Sequence, residues 1–162
     1  MKPAVLCCIA VALVLTMTMP ASAQKFEGVA VKSGQATFTF AGKDLAFSAV
    51  EGGFQQVQSF TLATLIFKPA PKSIEDTHLN LTLMYQAPGT IDLDAAFSMS
   101  GIGMFADGDV SRFTRGKSKC TITLTTATAT ELEGTAECPL LHNIEGEVMP
   151  PLTKVKFSAT VK

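Results

Sequence analysis

The chain of 162 residues has little of what most catalytic and metal sites are built from. It carries two histidines, His78 and His142, far apart in sequence, so no paired-histidine metal or protease motif exists. No serine stands in a Gly-x-Ser-x-Gly elbow. Gly101-Ile102-Gly103 lacks the third glycine and the strand-to-helix context of a dinucleotide site. No excess of either charge is present: thirteen basic residues stand against fourteen acidic ones, net −1. A field that would gather nucleic acid is therefore absent. Beyond the opening segment, no run reaches transmembrane length without a charge or a glycine.

The opening segment is the most informative stretch. Lys2 supplies a positive start, Ala4 to Met19 is uncharged and apolar, and Ala21-Ser22-Ala23 offers the small residues that signal peptidase requires. The apolar run is shorter than the roughly 20 residues needed to span a bilayer, and Cys7 and Cys8 lie inside it rather than at a lipoprotein cleavage position. The expectation is a cleaved signal over 1–23 and a single mature domain over 24–162, periplasmic or secreted, with no transmembrane segment. Without Lys2 the charge of the remainder is −2.

Two cysteines survive cleavage, Cys120 and Cys138, and an exported location makes a disulfide the default. Placed opposite each other on antiparallel strands, they also pair Ile122 with Ala136, Leu124 with Gly134 and Thr126 with Leu132 around a turn at Ala129. That register puts Cys120, Ile122, Leu124, Leu132 and Cys138 on one face and Thr121, Thr123, Thr125, Glu133, Thr135 and Glu137 on the other. A slip of one residue would bury the glutamates.

The rest of the mature chain keeps a period of two. Phe38 and Phe40 lead through an Ala41-Gly42-Lys43 turn into Leu45 and Phe47. Val57 to Phe67 is apolar on both parities and reads as one strand, covered on both faces or crossing between sheets. The prolines of Lys68–Lys72 start a loop over 69–77. His78–Gln86 and Thr90–Ser98 read as a hairpin whose parity pairs Tyr85 with Ile91 and Leu83 with Leu93, with Gly89 at positive φ. In that register His78 and Asp94 are too far apart to share a site, and His78 is expected to face solvent. Gly101, Gly103 and Gly108 suggest a loop-rich centre. Val155, Phe157, Ala159 and Val161 alternate with Lys154, Lys156, Ser158 and Thr160 in a closing strand.

Many short strands with turn signals between them and no convincing helix predict an all-β, antiparallel sandwich, with a β-barrel as the alternative. The disulfide-clasped hairpin CTITLTTATATELEGTAEC, with its Glu133-Gly134-Thr135, and the closing KVKFSATVK strand resemble uncharacterised exported bacterial β-sandwich proteins. What the resemblance implies is a fold and not an activity.

Other candidate chemistry has simpler readings. Asp107-Gly108-Asp109 supplies too few oxygens for calcium and fits a turn. Met99, Met104 and Met149 with His142 would suit copper, but single methionines fill gaps in cores. Asn80-Leu81-Thr82 matches a glycosylation acceptor but lies mid-strand. Charge is segregated: acids without a base from Glu75 to Asp109, then Arg112, Arg115, Lys117 and Lys119, then acids from Glu131 to Glu147. Cross-strand pairing is the simple reading; any surplus at Arg112, Arg115, Lys117 and Lys119 would make a binding patch. The expectation is a non-enzymatic exported binding or structural protein with no cofactor and no catalytic or metal-ligating residue identified. Its partner would be an envelope or secreted protein, a glycan or an anionic lipid. The alternative is a hydrolytic enzyme whose site assembles only in three dimensions.

Overall fold

The structure, a computed structural model, describes residues 28–70, 77–95, 98–106 and 108–162. The signal expected over 1–23, most of the loop over 69–77, Phe97 and Asp107 lie outside the described residues. Those described form thirteen strands: β1 Val29–Ala30, β2 Ser33–Phe40, β3 Lys43–Phe47, β4 Ala49–Val57, β5 Phe60–Lys68, β6 His78–Tyr85, β7 Gly89–Ile91, β8 Gly101–Ala106, β9 Asp109–Arg112, β10 Lys119–Ala127, β11 Glu131–His142, β12 Val148–Met149 and β13 Leu152–Thr160. No helix among them is long and apolar enough to cross a membrane.

All pairings are antiparallel. One half of the sheet runs β1-β4-β5-β6-β8-β9 and the other β7-β10-β11-β13-β2-β3. The sheet is open, with β1 and β3 at the ends of its main path, so the fold is sandwich-like and the barrel alternative is set aside. Strand β11 joins the halves: Glu131–Cys138 pairs with β13, while His142 pairs with Arg112 of β9. The chain crosses again at Val31 and Lys32, whose amides donate to Gly52 O and Thr160 O respectively.

Strict alternation explains the core. On β5 the side chains of Ala63, Leu65 and Phe67 are fully buried, on β6 those of Leu79, Leu81 and Leu83, and these join Ile122, Leu132, Val155 and Phe157 from the other half in one cluster. Removing a large aliphatic or aromatic side chain from water contributes roughly 1.5–3 kcal/mol. The Phe38 and Phe47 rings meet edge to face at 4.9 Å, and the expected Ala41-Gly42 turn forms with positive φ at both residues, as a tight two-residue hairpin turn requires.

The cysteine hairpin has the expected register from Thr121↔Glu137 to Leu124↔Gly134. Cys120 and Cys138 sit with Sγ atoms 2.07 Å and Cα atoms 4.1 Å apart. Near the turn the register shifts at a bulge, so Thr126 pairs with Glu133 and Ala127 with Leu132. The shift turns Ala127 inward, where it is buried.

Three expectations are corrected. Val57–Phe67 is not one strand: β4 ends at Val57, Gln58 takes a positive φ of 57°, and β5 returns along β4. Its mixed parity reflects a hairpin turn inside the stretch. Strands β6 and β7 do not pair. Gly89, Thr90 and Ile91 lie on Leu124, Thr123 and Ile122 of β10, while β6 is flanked by β5 and β8. The chain leaves one half for the other at Pro88-Gly89, with Gly89 at φ 145°. Finally, Gly101–Ala106 is strand β8, with Ile102 and Met104 buried on its inner side.

A candidate binding groove on the outer face of β6, β8 and β9

Because Ile102 and Met104 point into the core, Gly101, Gly103 and Phe105 occupy the outer face of β8. Two of these three positions have no side chain: Gly101 is partly open, whereas Gly103 is buried, with Ser111 O and Arg112 Cβ within 3.4 Å of where its Cβ would stand. The register defines what stands around them. Asn80 of β6 lies opposite Gly103, which lies opposite Arg112 of β9, and Thr82 lies opposite Gly101. Asn80 and Arg112 thus stand two strand spacings apart, roughly 10 Å at the backbone, across a glycine. With Phe105, Val110 and Phe113 at the rim they line a groove of about 280 Å³.

The polar groups of this groove are unequal. Asn80 Oδ1 is buried and has no hydrogen-bond partner, a costly state for an acceptor, worth roughly 1–3 kcal/mol. Arg112 is exposed, and among the described residues no carboxylate lies within ion-pair distance of its guanidinium. Phe105 is held from one side by His78, whose ring stacks on it at 4.2 Å with the planes 13° apart. His78 was expected to face solvent; it is half-buried and packed. The wide His78–Asp94 separation derived from a β6–β7 hairpin has no basis here, since His78 lies opposite Phe105. Asp94 Oδ1 instead accepts from the Gly116 amide at 3.1 Å.

The four basic residues of 112–119 lead to different surroundings. Arg112 lines the groove. Arg115 Nη2 donates to Ser98 O at 3.2 Å. The Lys117 ammonium lies beside Gly146, and exposed Lys119 begins β10 opposite Leu140. Nor do the acidic strands pair with ammonium groups as expected: Glu133 accepts from Thr126 Oγ1 at 3.0 Å, and Glu137 accepts from the Lys154 amide at 2.8 Å.

Among the described residues, the pairing that resembles a nucleophile and base is Ser118 Oγ with His142 Nδ1, 3.0 Å apart and both buried. Ser118 Oγ also accepts from the Thr114 amide at 2.9 Å and lies 3.3 Å from Arg112 O as a donor. These contacts tie the 113–118 turn to β11 at the junction of the two halves, and they account for the oxygen's lone pair and proton without a substrate. Among the described residues no three His, Cys, Asp or Glu side chains converge as a metal site would require. Met104 is buried in the core and Met99 is exposed, while Met149 of β12 pairs with Leu141, next to His142. A second groove of about 360 Å³ over Gly34 is polar, lined by Glu131, Glu133, Ser33 and Ser158 among others. It contains no buried group lacking a partner.

Asn80, Gly101, Gly103, Phe105 and Phe113 were not singled out as binding residues by their types. The signal available was glycine at 101 and 103 alternating with Ile102 and Met104, a strand with no side chain at two outer positions. Compared with known proteins, the chain matches no family, no curated protein and no solved structure.

Proposed function

We propose that this is an exported, non-enzymatic binding protein whose working surface is the groove over Gly101 and Gly103. Export is supported by the charged start, apolar run and Ala21-Ser22-Ala23 of the opening segment, and by a cysteine pair at bonding distance, which belongs in an oxidising compartment. The observation that carries the binding reading is the groove itself, lined by Arg112, which is exposed and has no carboxylate of the described residues within ion-pair distance. Arg115, Lys117 and Lys119 continue a positive run away from Arg112, which would add salt-sensitive attraction for an acidic partner.

The test is amide chemical-shift mapping of isotope-labelled protein, residues 24–162, against three probes: a neutral oligosaccharide, an acidic oligosaccharide and anionic phospholipid vesicles. Shifts confined to residues 80–82, 101–105 and 110–113 with at least one probe, and no breakdown of that probe, are expected. Turnover of a probe, or shifts centred elsewhere, would contradict the proposal.

A further inference from the structure

We infer that the outer face of β4, β5, β6, β8 and β9 pairs with the same face of a second copy of this chain, about a two-fold axis running along β6; this does not rest on the binding reading, although the face includes the groove. Strand β5 is apolar on both parities. Its Ala63, Leu65 and Phe67 fill the core, while Phe60, Leu62 and Ile66 point the other way and are partly exposed, as are Met84 of β6 and Phe105 of β8. A strand apolar on both sides is the pattern of one covered on both sides, yet these outer side chains keep part of their surface in water. The other half is the contrast. Its outer face presents Thr121, Thr135, Glu133, Glu137, Lys154 and Lys156, all exposed, as a solvated sheet face should.

The order of residues across the sheet selects a second copy as the occupant. The register lines up Glu51, Ile66, Asn80, Gly103 and Arg112 in one row, with an acid on β4, a base on β9 and Asn80 of β6 midway. A two-fold axis along β6 turns this row end for end, so each Arg112 comes over the Glu51 of the other copy and the row is complementary to itself. Arg112 is exposed, with no carboxylate of the described residues within ion-pair distance. Glu51 accepts from Lys68 Nζ at 2.7 Å, and a carboxylate has lone pairs for a further donor. The next row, Gly53, Thr64, Thr82 and Gly101, is made of small residues. Under the same axis Thr64 enters the space at Gly101 of the other copy, where a Cβ would meet no atom within 4 Å. An axis across the strands would set β4 on β4 and β9 on β9, which parts each arginine from an acid. At a strand spacing of about 4.8 Å and a rise of about 3.3 Å per residue the face measures roughly 500 Å². Two copies bury roughly 1,000 Å², the least a specific interface needs, so the dimer is weak and reversible. It covers the groove, and a second copy and a groove ligand therefore exclude each other.

Sedimentation velocity of the 24–162 protein, over a concentration series up to about 1 mM, should show a reversible monomer–dimer equilibrium. Ile66→Glu, Arg112→Glu and Glu51→Arg should each weaken it by about tenfold or more, with the urea midpoint near that of the original because all three positions lie on the outer face. Arg112→Glu sets acid against acid at both contacts and Glu51→Arg sets base against base. An equimolar mixture of these two variants sets acid against base at both, so mixing should restore association to near the original level. A protein that stays monomeric, a dimer indifferent to Ile66→Glu, or a mixture that associates no better than its parts overturns the inference. If the protein stays monomeric and a probe shifts the groove amides, the dimer is wrong and the binding reading stands. If mixing restores the dimer but no probe shifts the groove amides of the dilute protein, the dimer stands and the binding reading falls.

Discussion

Gly134 lies directly opposite Phe157 in the β11–β13 register, and the ring of Phe157 occupies the space a side chain at Gly134 would need. A Cβ there would come within 2.8 Å of Phe157 Cζ and 2.6 Å of Thr123 O. The first contact is with a core ring and the second with backbone, so neither can yield cheaply.

Gly134→Ala should therefore destabilise by roughly 1–3 kcal/mol through overpacking. Phe157→Ala should cost about 3–5 kcal/mol, while Lys156→Ala on the exposed face should change stability by less than about 0.5 kcal/mol. Because Gly134 and Phe157 share one space, combining Gly134→Ala with Phe157→Ala should cost less than the sum. Urea unfolding of the four variants checks all of these. Equal costs at 156 and 157 would mean that the faces of β13 are reversed.

Cys120 and Cys138 enclose a short loop, with a sequence separation of 18. Under non-reducing conditions intact mass after alkylation should show no free thiol in the 24–162 protein. Replacing both cysteines by serine should lower stability by roughly 3 kcal/mol, the order expected for closing a loop of this size. Two alkylatable thiols would contradict both the bond and the register around it.

Tyr85 is the single tyrosine of a chain without tryptophan, and its hydroxyl donates to Thr128 O at 2.8 Å, tying β6 to the turn between β10 and β11. Burial holds its hydroxyl well above the ordinary tyrosine range. The native state therefore keeps the proton longer than the unfolded chain. The stability this contributes is full below about pH 10, the unfolded value, and is lost as pH rises above it towards the native value. Phenolate absorbance should be absent from the folded protein at a pH where the urea-unfolded protein is half ionised. Tyr85→Phe should make the alkaline decline in stability shallower. Coincident phenolate titrations of folded and unfolded protein would show that the hydroxyl is not held.

Much of the fold is legible where one residue decides one face. The glutamates of β11 fix its register because the alternative buries them, and Val155, Phe157 and Ala159 declare the inner side of β13 in the same way. Legibility fails where a strand's partner is not its neighbour in sequence. Leu79–Tyr85 and Ile91–Phe97 share a parity that suits a hairpin, but parity is equally satisfied when Ile91 faces the same core from the opposite half, on Ile122 of β10. The turn at Gln58 was hidden because a non-glycine residue takes the positive φ. The groove was harder still. Gly101 and Gly103 read as loop signals because glycine disfavours strands, and only the pairing of β8 between β6 and β9 shows that Gly103 lies between Asn80 and Arg112.

The central claim, that the groove over β8 is the working surface, is tested most directly by filling it at Gly101. A Cβ at Gly101 would meet no atom within 4 Å, and a β-branched residue suits a strand better than glycine does, so Gly101→Val should leave the urea midpoint unchanged or raise it. Its affinity for whichever of the three probes shifts the groove amides of the unmodified protein is predicted to fall at least tenfold because the side chain occupies the groove. Undiminished affinity in a variant that folds as well as the original would contradict the account and place the binding surface elsewhere.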